Sequence, residues 1–281
     1  MSKKIEVVKL KNPYVTVEGS FGGNQGWFKD MENKFKGKTI NGFGCGLIGA
    51  SDVLLHILGT TENVLDKSLN SGIKIGKMES KTGGDLNHRL SQSVARVDYD
   101  KYIQYMEKHF FHILPKLGIS GVLMAWNLNM YFLLNRKKIK KITGGRYWAR
   151  WAVLPQNILS RIKEMLSNDI PVVLAIGPGM FRKNKLTFYN KLNGTDGSII
   201  FKPVTKTKDH YVTVTGVEEY IVTSNGSNGN KQDRIDDSNS KTMLEISSWG
   251  KKYYVNYLDY IDYVKKNDNY YFSNILYIKK R

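Results

Sequence analysis

Apolar residues recur at helical spacing through the first part of the chain and give way to short β-branched runs in the second. After Cys45 come Leu47, Ile48, Ala50, Val53, Leu54, Leu55, Ile57 and Leu58, which predict a mostly apolar helix over about 46–58 that stops near Gly59. Tyr102, Ile103, Met106, Phe110, Ile113 and Leu114 predict a second helix across 99–114, ended by Pro115. The stretch from Gly121 to Leu134, broken only by Trp126-Asn127 and Asn129, reads as a buried helix over about 121–135. Pro155 suits a first helical turn, and Ile158, Leu159, Ile162, Met165 and Leu166 form the stripe of the helix behind it. Residues 5–20 read as one or two short strands, and Phe21 to Phe28 as a glycine-rich loop that presents Gln25 beside two aromatics. A polar linker through Lys38 leads to the cysteine helix, and residues 60–98 hold turn residues with little periodicity, Lys81 to Asp85 being a clear loop.

Past residue 167 the period changes. Pro171 to Gly177 is a β-branched run, read as a buried strand. Thr187–Leu192, Ser198–Lys202, His210–Val217, Met243–Ser248, Tyr253–Asn256 and Phe272–Ile278 read as further strands. Residues 224–240 read as a flexible hairpin loop, and Tyr257 to Val264 as a short helix or turn. The plan is α+β in a single domain: a mainly helical lobe over 1–167, a mainly antiparallel β lobe over 168–281, and a cleft between them. No internal repeat is evident.

The 281 residues are 41% hydrophobic, which excludes a disordered chain. The net charge of +18, with a pI near 9.7, predicts attraction to anionic surfaces or polymers. Residues 136–150 are the natural contact, with the run Lys137, Lys138, Lys140 and Lys141 followed by Arg146, Trp148, Arg150 and Trp151. A solvated basic face is the more frequent reason for such a run. No nucleic-acid module is recognisable. The first residues carry no apolar secretory core, so a cytoplasmic location is expected, and the 121–134 stretch is too short to cross a bilayer. One cysteine excludes an intrachain disulfide and any multi-cysteine zinc site. Asp52 and His56 are spaced to pair on the cysteine helix, but no third metal ligand accompanies them, and no cofactor is expected.

The remaining chemistry gathers around Cys45, at a predicted loop-to-helix junction. A helix N-terminus offers unpaired N–H groups and a positive dipole end, and both favour thiolate. Gly44 and Gly46 leave room for a substrate backbone. A buried cysteine acting as a small hydrophobe is the other reading of the same run. A nucleophilic thiol needs a base, and histidine serves best near neutral pH. Of five histidines, His56 lies on the cysteine helix about three turns along, His109 and His112 sit among aromatics, and His88 lies in a polar loop. His210 opens a strand and is the best placed. The strand Met243 to Ser248 then puts Glu245 and Ser247 on one face and Ile246 and Ser248 on the other, with Trp249 able to shield a bond to the imidazole.

Taken in order, Gly44-Cys45-Gly46, then His210-Tyr-Val-Thr-Val-Thr-Gly, then Ser247-Ser-Trp-Gly resemble the papain-like cysteine peptidases. The resemblance is closest to the bacterial branch similar to bacteriocin-leader-processing peptidases. Gln25-Gly-Trp27 before the cysteine and the helix-to-strand run Ile158 to Ile176 match that branch too; residues 60–150 match least. The resemblance implies a papain-like fold and a thiol-dependent peptidase acting on a peptide or protein. Cys45 would be nucleophile, His210 base and acid, and Gln25 an oxyanion donor with the Cys45 N–H. Ser247 stands where the papain-like run has Asn and the leader-peptidase branch Asp, so a neutral hydroxyl would orient the imidazole. Two alternatives follow: a decayed papain-fold binding protein for an anionic partner, or an acyltransferase of the transglutaminase or deamidase kind.

Overall fold

The computed structural model describes residues 2–31, 33–59, 93–177, 184–194, 198–222, 240–267 and 270–281. His88, the loop at 81–85 and nearly all of the 224–240 hairpin loop lie outside these residues.

The supposed linker before Cys45 is a helix. α1 (Lys34–Phe43) is capped by the Asn33 side chain, which accepts from the Lys36 N–H. Asn41, Gly42 and Phe43 are its last turn and not a loop. Gly44 alone separates it from α2 (Cys45–Leu58), and the two axes bend by 82°. A Cβ at Gly44 would strike the Ile40 carbonyl, to which the Gly44 N–H donates at 2.8 Å, so only glycine turns this corner.

Behind Cys45, α2 is buried along its whole length, with Ser51, Asp52 and His56 the polar residues among apolar ones. Around it stand α3 (Arg96–His109) and α4 (Gly121–Leu134), the latter capped by Ser120. α3 starts and stops before the predicted range. Phe110 leaves it, and Leu114 closes a turn on Gly118 in which Lys116 and Gly118 hold positive φ. The lysine run is itself a helix, α5 (Arg136–Thr143), ended by left-handed Gly144. α6 (Ile158–Ser167) follows its 3-10 turn at Pro155, and α7 (Tyr257–Asn267) follows the sheet.

The main sheet is antiparallel and has seven strands. Its spine is β9 (His210–Val222). On one side β9 meets two strands end to end. β6 (Val172–Ile176) pairs with His210 to Val214, and β1 (Ser2–Lys9) with Gly216 to Val222. On the other side come β10 (Ser240–Ser248), β11 (Lys251–Asn256), β7 (Leu186–Asn193) and β8 (Ile199–Thr207). The sheet curls until β8 approaches β1. It therefore draws on both sides of residue 167, because the first strand of the chain lies in it. β5 (Tyr147–Trp151), which no periodicity predicted, pairs with β12 (Leu276–Lys280). β2 (Thr16–Val17), β3 (Ser20–Phe21) and β4 (Ser93–Val94) make a small separate sheet.

The core forms where α2 lies on β9 and β6. A Cβ on Gly49 would touch Thr213 and Val173, so the helix sits close to the sheet. A Cβ on Gly46 would meet Ile119, Met124 and Tyr211: this glycine permits packing and does not open a path for substrate. Among the described residues, no single helix is long and apolar enough to cross a membrane.

Candidate active site

Cys45 is the first residue of α2, and Gly44 before it offers no side-chain cap. Cys45 as a residue is partly exposed, its sulfur sunk into the pocket wall. Burial pushes the Cys45 thiol above its ordinary value, while the backbone N–H groups of Tyr211 and Gly46 pull it back and the charge of Asp209 raises it further. The helix N-terminus therefore does not produce a resting thiolate here, because desolvation outweighs it.

His210 faces the same pocket from the first residue of β9 and is 7% exposed. Its Nε2 lies 2.8 Å from Ser248 Oγ. Its ring stacks on Trp249, with centroids 4.5 Å apart and planes within 16°. Burial lowers its pKa to about 4, so the imidazole is neutral at pH 7. Thiol and imidazole line one pocket and are both neutral at rest. The two residues beside this constellation, Asp209 and Trp249, both carry positive φ, at 53° and 50°. Such backbone costs on the order of 1–3 kcal/mol per residue and is held only where surroundings dictate it.

The residue that meets the imidazole is Ser248, not Ser247. Ser247 donates its hydroxyl to the Phe21 carbonyl at 2.6 Å and belongs to a different group of contacts. Glu245 does not substitute for it either. Its carboxylate takes Lys9 Nζ at 2.8 Å, the Tyr254 hydroxyl at 3.0 Å and the Thr215 hydroxyl at 3.0 Å.

Gln25 lines the pocket from the first residue of a 3-10 turn, Gln25–Asp30, capped by Asn24. One N–H of its amide donates to the Asn41 carbonyl at 2.8 Å. That leaves the second N–H for a ligand oxygen. The loop holding Gln25 is tied to the site at both ends of a short bridge. Phe21 N–H donates to the Gly250 carbonyl at 2.9 Å, and Gly250 N–H to the Gly23 carbonyl at 3.1 Å.

Asp52 is the part of the site that the linear reading placed elsewhere. It is 1% exposed and lines the pocket floor. Its carboxylate accepts from the Gly23 N–H at 2.9 Å, the Tyr99 hydroxyl at 2.7 Å and the Tyr14 hydroxyl at 3.2 Å. Burial raises its pKa to about 6 against these three donors. A Cβ on Gly23 would overlap the Tyr99 hydroxyl, and one on Gly22 would lie 2.7 Å from the carboxylate, so both glycines let the loop close on Asp52. The signal was present in the spacing. Asp52 lies seven residues after Cys45, two helical turns along the same face. His56, by contrast, bonds Asp169 at 3.2 Å, in place of the expected Asp52 partnership. His109 and His112 are exposed.

The space among these side chains is narrow, about 20 Å³, room for little more than one water. Among the described residues, no group of three His, Cys, Asp or Glu side chains could hold a metal ion. Comparison of the chain with protein-family models, with curated proteins and with solved structures finds no match.

Proposed function

We propose that this chain is a thiol-dependent acyl-transfer enzyme of papain-like design, acting on a peptide or amide bond where the start of α2 meets the start of β9 and the end of β10. The observation that carries the reading is one pocket lined by the helix-opening Cys45 and by His210, the latter bonded to Ser248 and stacked on Trp249. With Nε2–H donating to Ser248, the His210 Nδ1 lone pair is the base. It takes the thiol proton as Sγ bonds to the carbonyl carbon. The oxyanion meets the free Gln25 N–H and the N–H groups at the start of α2; such a donor is typically worth about 10²–10³ in rate. As the tetrahedral adduct collapses, the C–N bond breaks and the imidazolium gives its proton to the departing amine. Water, activated by the same nitrogen, then releases the acid and restores the thiol.

The test is turnover of a fluorogenic peptide library by the full chain and by Cys45→Ala, with an alkyl amine as competing acceptor. Peptide cleavage abolished by the substitution is the expected result, and amine incorporation in place of cleavage assigns the acyltransferase variant. Equal turnover by Cys45→Ala overturns the reading. A second reading, a site that has lost its chemistry and only binds, is favoured by a thiol and an imidazole that are each neutral at rest. It predicts no turnover by either protein.

A further inference from the structure

We propose that the outer face of α4, together with α5 and Trp148, docks the protein onto anionic phospholipid bilayers. This inference is independent of the thiol chemistry. α4 is apolar apart from Asn127 and Asn129, yet only one side of it is covered. Its inner face, with Met124, Leu128 and Tyr131, is buried, while Trp126 is 65% exposed, Leu133 58% and Leu134 69%. A helix apolar all round belongs inside a protein or against lipid. Between α4, α5 and β5 runs a groove of about 500 Å³, lined by Val122, Trp126, Met130, Leu133 and Trp148, with Arg136 and Arg146 also in its wall.

The charge around this groove selects the occupant. α5 reads Arg-Lys-Lys-Ile-Lys-Lys-Ile-Thr and turns only Ile139 fully inward. No aspartate or glutamate occurs anywhere between Glu107 and Glu164. This cationic stretch complements an anionic surface. The adjoining apolar face complements acyl chains, and the two exposed indoles suit the level where headgroups meet hydrocarbon. A nucleic acid would use the lysines and leave the groove wet. No described helix is long and apolar enough to cross the bilayer, so the contact is with its surface.

The experiment is sedimentation of the full chain with phosphatidylcholine vesicles, with and without phosphatidylglycerol, read beside quenching of tryptophan fluorescence by brominated acyl chains. Phosphatidylglycerol-dependent binding with quenching is expected. Both Lys137→Glu/Lys141→Glu and Trp126→Ser/Leu133→Ser should weaken it by roughly tenfold or more. The quenching measurement needs no variant, so it stands whatever the folding of the substituted chains. Four results overturn the proposal: equal binding to both vesicle types, binding without quenching, indifference to the apolar pair, or an oligomer that Trp126→Ser dissolves.

Discussion

Replacing Ser248 by alanine removes the hydroxyl that meets His210 Nε2 at 2.8 Å. Trp249 would still hold the ring plane, but the ring could turn about its own axis and lose the correct tautomer. A fall in kcat of roughly ten- to a hundredfold is expected, with KM little changed, since misorientation of a base costs on that scale. Ser247→Ala should behave oppositely. It leaves the Phe21 carbonyl without its donor and should cost about 1–2 kcal/mol of stability with kcat largely kept. Steady-state kinetics and thermal melts on the two variants decide it; a larger kcat loss for Ser247→Ala refutes the assignment. Alternation within one strand could separate the two serines but could not say which faced the histidine. That depends on register with the neighbouring strand. Ser247 lies opposite Thr213 and Ile246 opposite Val214, so Ser248 shares a face with Val212 and His210. The register itself slips beside Glu245, and a slip of one residue exchanges the serines.

At the scale of elements, α2 illustrates two influences of opposite sign on one thiol. Its N-terminus favours the anion, and its burial favours the neutral form. Burial prevails, so the Cys45 thiol lies above its ordinary value. Alkylation by iodoacetamide should therefore be slow at pH 6 and rise only at alkaline pH, beyond a free thiol's range of about 8.5. A fast plateau persisting into acid would instead demonstrate a thiolate–imidazolium pair. α2 and α4 were legible from long apolar runs, and β6 and β9 from short β-branched ones. α1 and α5 were not. Lys34–Phe43 and Arg136–Thr143 have few apolar residues, and each becomes a helix by laying one small face on its neighbours. β5 was hidden for a different reason. Tyr147–Trp151 interleaves aromatics with arginine, and only its distant partner β12 makes it a strand.

Across the whole molecule, the long-range sheet gathers charges that the sequence scatters. Glu218 and Glu245 are both buried, and Lys9 Nζ reaches each at 2.8 Å. Burial alone would raise Glu218, but bonds from Lys191, Lys9 and Tyr220 hold it at about 2. Asp169 is likewise held at about 2, its burial outweighed by His56 and Asn12. These carboxyls titrate lower folded than unfolded, so their stabilisation is complete above the unfolded range near 4 and is lost as pH falls toward 2. Asp52 has the opposite sign. Its pKa is raised to about 6, so its contribution is full below the unfolded value near 4 and fades as pH rises through 6. Melting temperature should thus drop steeply between about pH 4 and pH 2, and Lys9→Met should move that drop to higher pH. An acid limb unchanged by the substitution would show that Lys9 does not support the pair.

The partnership of β1 with β9 sets the order in which the chain can mature. β1 leaves the ribosome well before its partners from Gly216 to Val222, with α1 to α6 made in between. Until β1 docks, the half of β9 that takes it is an open edge, and Glu218 and Glu245 lack Lys9, the lysine that bridges the two. Docking of β1 on β9 is a closure over most of the chain, a slow kind of step in sheet proteins. A newborn chain therefore passes through a stage at which a chaperone, or another copy's first strand, can take the place that β1 will occupy.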